Sequence, residues 1–218
     1  MARGEPAGEP GLPSGHPVAA RLAAVRRRIE AAGGSPHTVR VLAVTKGFGP
    51  EAVAAAVAAG LHDVGENYAQ ELVAKAAALA PPVAAAVRWH YLGAVQRNKV
   101  RSLAPLVACW QSVARAVEGR EIARHRPGAA VLVEVDASGV PGRTGCGAHE
   151  APALVRDLVA LGLDVRGLMT VAPRGPGARA AFRVVRDLAD RLDLAERSMG
   201  MTDDLEDAVA EGSTMVRV

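Results

Sequence analysis

The chain has 218 residues, half of them hydrophobic, and a formal net charge of +3. The charge comes from interspersed arginines and aromatics are only 3%, which argues against a nucleic-acid-binding surface. No apolar run reaches membrane-spanning length, and Cys109 and Cys146 lie too far apart, with no histidine at ligand spacing, for a zinc site or a disulfide framework.

Residues 1–16 are rich in Gly, Pro and Glu and lack an apolar core. They read as a disordered tail rather than a signal peptide, and the rest, 17–218, as one soluble, cytoplasmic domain. Residues 17–32 have helical periodicity and end at Gly33-Gly34. The Arg26-Arg27-Arg28 run falls on this helix and reads as a solvated face. A unit then repeats: short apolar strand, loop, helix. Strands are predicted over 39–46, 63–67, 87–93, 107–113, 129–136, 165–171, 196–201 and 214–218. The intervening helices cover 50–59, 69–79, 96–103, 114–125, 150–161, 178–192 and 203–211. Eight strands alternating with helices after one extra N-terminal helix predict a single (β/α)8 barrel. An open doubly wound sheet is the runner-up, weakened because no GxGxxG follows the first strand.

In a barrel the carboxyl ends of the strands gather on one rim, and that rim builds the site. Here it collects Lys46, Asn67, His90, Ser112, Asp136, Met169, Ser198 and Arg217. Lys46 ends the run Val39-Arg40-Val41-Leu42-Ala43-Val44-Thr45, and it is one of only three lysines, with Lys75 and Lys99, in a chain that otherwise uses arginine. A partly desolvated lysine at that position has a nucleophilic amine able to form a Schiff base with an aldehyde; a solvated loop lysine is the plainer alternative. Asn67 can hydrogen-bond a ring substituent or serve a turn. His90 can contact a ligand or pack beside Trp89. Ser198 and Gly200, before a helix that Thr202 or Asp203 would cap with Glu206 near its third position, suit a phosphate. Arg217 on the last strand can pair with that phosphate or sit in solvent. The glycine-rich loop 139–147 around Arg143 is not a P-loop; it reads as a mobile rim loop, with a lid as the functional alternative.

The chain resembles the pyridoxal 5′-phosphate homeostasis proteins, the YggS/PROSC family. The resemblance rests on Ala43-Val44-Thr45-Lys46, Gly65-Glu66-Asn67-Tyr68-Ala69-Gln70-Glu71, Trp89-His90-Tyr91-Leu92-Gly93 with Gln96, Asn98 and Lys99, Gly167-Leu168-Met169-Thr170, Ser198-Met199-Gly200-Met201 and Glu211-Gly212-Ser213-Thr214-Met215-Val216-Arg217. These occur in family order over residues 17–218. The resemblance implies a barrel similar to the N-terminal domain of alanine racemase, a fold-type III pyridoxal-phosphate protein. It implies pyridoxal 5′-phosphate held as an aldimine on Lys46, with Ser198 and the segment around Arg217 anchoring the phosphate, and Asn67, His90, Met169 and Gly200 completing the site. It implies a carrier or regulator without established turnover, with effects on amino-acid and keto-acid balance; apo-enzymes that use the cofactor are the expected recipients, and the lack of a large apolar surface pattern apart from the barrel points to a monomer. Two features differ from the family pattern. The sequence as given ends at Val218, before a family Gly-Thr pair that holds phosphate. Asp136 and Arg143 stand where relatives often carry Asn and Lys, and arginine cannot form an aldimine, so one covalent site is expected. A racemase is the alternative, but it needs an acid/base group on each face of the substrate, and Tyr68 and Tyr91 are the only tyrosines.

Overall fold

The computed structural model describes residues 18–139 and 142–218; the tail assigned to residues 1–16 lies outside them. Helix α1 (Val18–Ala31) leads into β1 (Arg40–Val44), α2 (Pro50–Ala58), β2 (Asp63–Glu66), α3 (Ala69–Ala78), α4 (Pro81–Ala86) and β3 (Arg88–Tyr91). Then come α5 (Arg97–Leu103), β4 (Val107–Val113), α6 (Ala116–His125), β5 (Ala130–Asp136), β6 (Cys146–Gly147), α7 (Ala151–Ala160), β7 (Asp164–Met169), α8 (Ala178–Arg191), β8 (Glu196–Ser198), α9 (Leu205–Ala210) and β9 (Met215–Arg217). Every strand pairing is parallel. The sheet runs β4-β3-β2-β1-β9-β8-β7-β5, and a β4–β5 pairing closes it. The architecture is a (β/α)8 barrel, as the alternation predicts.

Three details depart from the sequence reading. The α4 turn is not among the predicted helices; both its prolines sit in the first turn, where their missing N–H groups cost nothing. The two-residue β6 pairs Cys146 with Val135 and ties the glycine-rich loop back to β5, helped by a Thr144–Glu134 hydrogen bond of 2.5 Å; Val140 and Pro141 of that loop lie outside the described residues. Helix α9 begins at Leu205, after the Asp204 cap, and Glu206 does not close a capping box. It instead accepts from Arg28 of α1 at 2.6 and 2.8 Å, so part of the arginine run is committed to holding α1 in place.

Helix α1 covers the ring between α9 and α2. Ile29 is buried with Leu205, Val209, Val39 and Val216, while Leu22 packs with Ala56 and Leu61. Between strands and helices lies the main core of valines, leucines and alanines, with Trp110 and Phe182 the largest fully buried side chains. Aliphatic burial of this kind contributes about 25 cal/mol for each Å² removed from water. Both cysteines are free and buried, and burial pushes their thiols up to about 12 for Cys109 and about 11 for Cys146, so neither is nucleophilic.

The interior of the barrel is less conventional. Gln111 on β4 reaches Met215 on β9 across the lumen, so its face points inward. Cys109 shares that face by the two-residue period and clusters with Ala130, Leu132 and Met169. The other half of the lumen is polar, and the candidate site is built on it.

Outside the barrel, the buried carboxylate of Glu211 accepts from Arg179, Arg183 and Arg186 of α8 at 2.8, 3.1 and 2.7 Å. Hydrogen bonds from Arg183 and Arg179 hold it down to about 2. A carboxylate whose pKa is lowered on folding contributes stability above its unfolded value of about 4.3, lost as pH falls toward the folded one. Acid titration followed by circular dichroism is expected to show a loss of stability between about pH 4 and pH 2 that Glu211→Gln reduces, with that variant also less stable than wild type at neutral pH.

Candidate functional site

At the carboxyl ends of the strands lies a cavity of about 460 Å³, lined by Lys46, Asn67, Leu92, Met169, Met201, Thr202 and Arg217 among others. That volume suits a small cofactor. Lys46 follows β1, Asn67 follows β2, Met169 ends β7 and Arg217 ends β9, so the lining draws on strand ends from opposite parts of the ring.

Lys46 is exposed, not partly desolvated as its position at a strand end suggested. The strand stops at Val44, and the loop carries the lysine onto the rim. No hydrogen bond or ion pair ties its amine to another described residue. The amine is available because no described residue holds it. The buried lysine is Lys75, 5% exposed, whose ammonium is fully engaged.

Arg217 is the reverse case. Its guanidinium is buried and pushed down to about 10 by that burial, so it is still cationic at neutral pH. Among the described residues no carboxylate is within ion-pair distance of it, and Asp204 and Glu134 act on it only from further away. It donates to the Ser198 carbonyl at 2.6 Å, the Ser198 hydroxyl at 2.9 Å and the Thr170 carbonyl at 2.7 Å. These groups satisfy its geometry but leave its charge uncompensated at short range, which favours an anion in the cavity it lines.

Behind Arg217 runs a chain of side chains through the lumen. The Ser198 hydroxyl donates to Gln111 Oε1 at 2.6 Å, and Gln111 Nε2 lies 2.7 Å from His90 Nδ1. His90 Nε2 lies 3.0 Å from Asp63, which accepts from Arg88 at 2.8 Å at the amino-terminal end of the barrel. Burial raises the Asp63 carboxyl, but hydrogen bonds from His90 and Arg88 outweigh it and hold the group well below the usual range.

Of the residues singled out from the sequence, Lys46, Asn67, Met169 and Arg217 therefore line one cavity, whereas His90, Ser198 and Gly200 do not. Their neighbours explain this. The rings and hydroxyl of His90 and Ser198 are taken up by the interior chain. Gly200 has φ +96°, and a Cβ there would meet the Ala208 Cβ at 2.5 Å, so it shapes the β8–α9 turn. At the rim, Ser112 is turned to the Gly93 carbonyl at 2.5 Å and Asp136 to Ser138. Arg143 reaches the Ala172 carbonyl at 3.4 Å. Thr202, read from the sequence only as a helix cap, and Met201, quoted only within a motif, also line the cavity; only the folded β8–α9 turn brings them there.

The chain matches the family of the alanine racemase N-terminal domain over residues 19–218. Within that class it belongs to the pyridoxal phosphate homeostasis proteins. It is 39% identical over 212 residues to the member from Pseudomonas aeruginosa, covering 92% of this chain and 90% of the relative. The member from Deinococcus radiodurans is 38% identical over 210 residues, covering 92% and 96%. Among solved structures, PipY of Synechococcus elongatus without pyridoxal phosphate superposes with a TM-score of 0.81 at 32% identity, covering 92% of this chain and 97% of PipY. PipY with pyridoxal phosphate bound gives 0.75 at 30%, covering 89% and 97%. An alanine racemase from Clostridium difficile, at 14% identity and a TM-score of 0.67 over 90% of this chain and 54% of its own, shares the fold. No described helix is long and apolar enough to cross a membrane.

Arg217→Met removes the donors to the Thr170 carbonyl and the Ser198 hydroxyl. An orphaned buried polar group costs about 1–3 kcal/mol. Urea unfolding of the ligand-free protein is expected to show a loss in that range, measured as a lower midpoint at unchanged slope.

Proposed function

We propose that this protein holds pyridoxal 5′-phosphate covalently on Lys46 and buffers it or delivers it to apo-enzymes, without turning over a substrate of its own. The observation that carries the reading is the pairing, in one cavity, of a partnerless primary amine with a buried guanidinium that has no carboxylate. When bound, the cofactor supplies an aldehyde that condenses reversibly with a primary amine, a C=N bond forming as one water leaves. Lys46 is the amine, and its lack of partners in the fold means that no ion pair has to break first. Arg217 places a positive charge against an anionic ligand. Asn67 offers a donor and an acceptor at the edge of the cavity, while Met169 and Leu92 supply apolar walls for a ring. Ser198, held by Gln111, fixes the guanidinium of Arg217 and acts through it.

Release needs only a competing amine, so a carrier requires no further acid or base. A racemase does require one on the face opposite the lysine. Tyr91 is buried, its ring 5.6 Å from Trp110 in an edge-on contact, and Tyr68 is 60% exposed; neither is among the residues lining the Lys46 cavity. This supports the carrier over the racemase. The large exposed apolar side chains, such as Val117, Val159 and Val184, are scattered over different helices, which favours a monomer. The balance of amino acids and keto acids would then follow from the supply of cofactor to the enzymes that interconvert them.

The test is an absorption spectrum of the purified protein with pyridoxal 5′-phosphate, before and after borohydride. Wild type is expected to show a visible band that borohydride removes, leaving one equivalent fixed to the peptide containing Lys46. Lys46→Ala is expected to lose the band while keeping its circular dichroism. An unchanged band in that variant overturns the covalent assignment, and rapid deuterium washout at the Cα of alanine would establish the racemase instead.

A further inference from the structure

The Lys46 amine makes no hydrogen bond or ion pair with another described residue, yet the two peptide groups on either side of it are both held from one helix. The carbonyl of Thr45, which forms the peptide bond to Lys46, accepts from the Lys75 ammonium at 2.7 Å. The N–H of Gly47, in the peptide that leaves Lys46, donates to the Glu71 carboxylate at 2.9 Å. Lys75 and Glu71 are one turn apart on α3 and bond each other at 3.0 Å. The third Lys75 proton goes to Glu66 Oε1 at 2.6 Å, and the Thr45 hydroxyl donates to that same oxygen at 2.6 Å. Gly47 sits at φ +75°, a conformation open to glycine, so the chain can turn sharply between the two anchors.

This arrangement is a poor choice for stability alone. Lys75 is 5% exposed and Glu66 fully buried, and Glu66 Oε2 is buried with no hydrogen-bond partner. A buried ion pair is commonly matched or bettered by an apolar pair of the same volume. An ion pair with an unsatisfied oxygen is a weaker device still for holding a core. Its geometry, however, fixes the backbone on both sides of one exposed side chain.

We propose that Lys75 and Glu71 are positioning residues that clamp the peptides flanking Lys46 and so aim its amine into the cavity. The proposal rests on the carrier reading for its purpose but not for its geometry. Lys75 itself is not a second attachment point, because all three of its protons are spent inside the fold. The sequence hides this role: Lys75 lies 29 residues from Lys46 and reads as an ordinary helix lysine.

Two measurements test it. In the cofactor-free protein, hydrogen exchange at the Gly47 amide is expected to be at least about tenfold faster in Glu71→Ala than in wild type, and restored toward wild type in Glu71→Gln, whose amide oxygen still accepts. In the presence of pyridoxal 5′-phosphate, the borohydride-reducible bond is expected to form about tenfold or more slowly in Lys75→Met, since a small misplacement of a reacting group costs up to about a hundredfold. Because Lys75→Met alone leaves Glu66 unpaired and can unfold the protein, Glu66→Gln/Lys75→Met is the companion. It removes both charges, is expected to melt near wild type, and is still expected to react slowly. Gly47 exchange unchanged in Glu71→Ala, or a folded double variant reacting within about twofold of wild type, overturns the proposal. A wild-type protein that forms no reducible bond refutes the carrier reading separately, and the exchange result then decides the clamp by itself.

Discussion

The structure depends on the burial of one cation. Removing a guanidinium from water is costly unless its donors find acceptors, and Arg217 meets that condition with backbone carbonyls and a hydroxyl, not with a carboxylate. A carboxylate would have cancelled the charge. Carbonyl oxygens stabilise it while leaving its field directed at the cavity mouth. The same choice obliges the lumen to be polar, because Ser198 needs Gln111, Gln111 lies against His90, and His90 needs Asp63. The interior of a barrel of this kind is ordinarily filled by branched apolar side chains in layers. Here the apolar filling of Cys109, Ala130, Leu132 and Met169 occupies only part of the space, and hydrogen bonds occupy the rest.

The two lysines of the β1–β2–α3 corner divide two tasks that seemed from the sequence to belong to one. Lys46 offers a free amine on the rim, and Lys75 is buried, charged and fully bonded. Burial raises the Glu66 carboxyl beside it, so the electrostatic cost of the corner falls on a residue that faces no ligand. Separating the free amine from the group that carries this cost keeps the free one unencumbered.

Much of the fold was legible because it is written in local patterns. The runs around Val41, Val131 and Leu168 are apolar and β-branched, each is followed by a turn and a helix, and eight such units favour a barrel over an open sheet. Lys46, Asn67, Met169 and Arg217 were legible for the same reason: a residue at a strand's carboxyl end must be on the rim. What the sequence did not reveal is pairing. His90, one residue short of the end of β3, and Ser198, at the end of β8, face the lumen as Met169 does, but Gln111 takes up both, and which partner a short strand's inward residue meets depends on register with strands far away in sequence. Lys46 was expected to be partly buried and is exposed, since the strand ends two residues earlier than its apolar run suggested. The α4 turn was missed because Pro-Pro reads equally as a helix start or a break. Glu206 was read as a local cap when its partner, Arg28, is far away in sequence.

The lumen's hydrogen bonds are made within the fold: Ser198 to Gln111, Gln111 against His90, His90 against Asp63. A ligand at the mouth is not required to supply any of these partners. Under the proposed carrier role, such a reservoir can be drained without being dismantled.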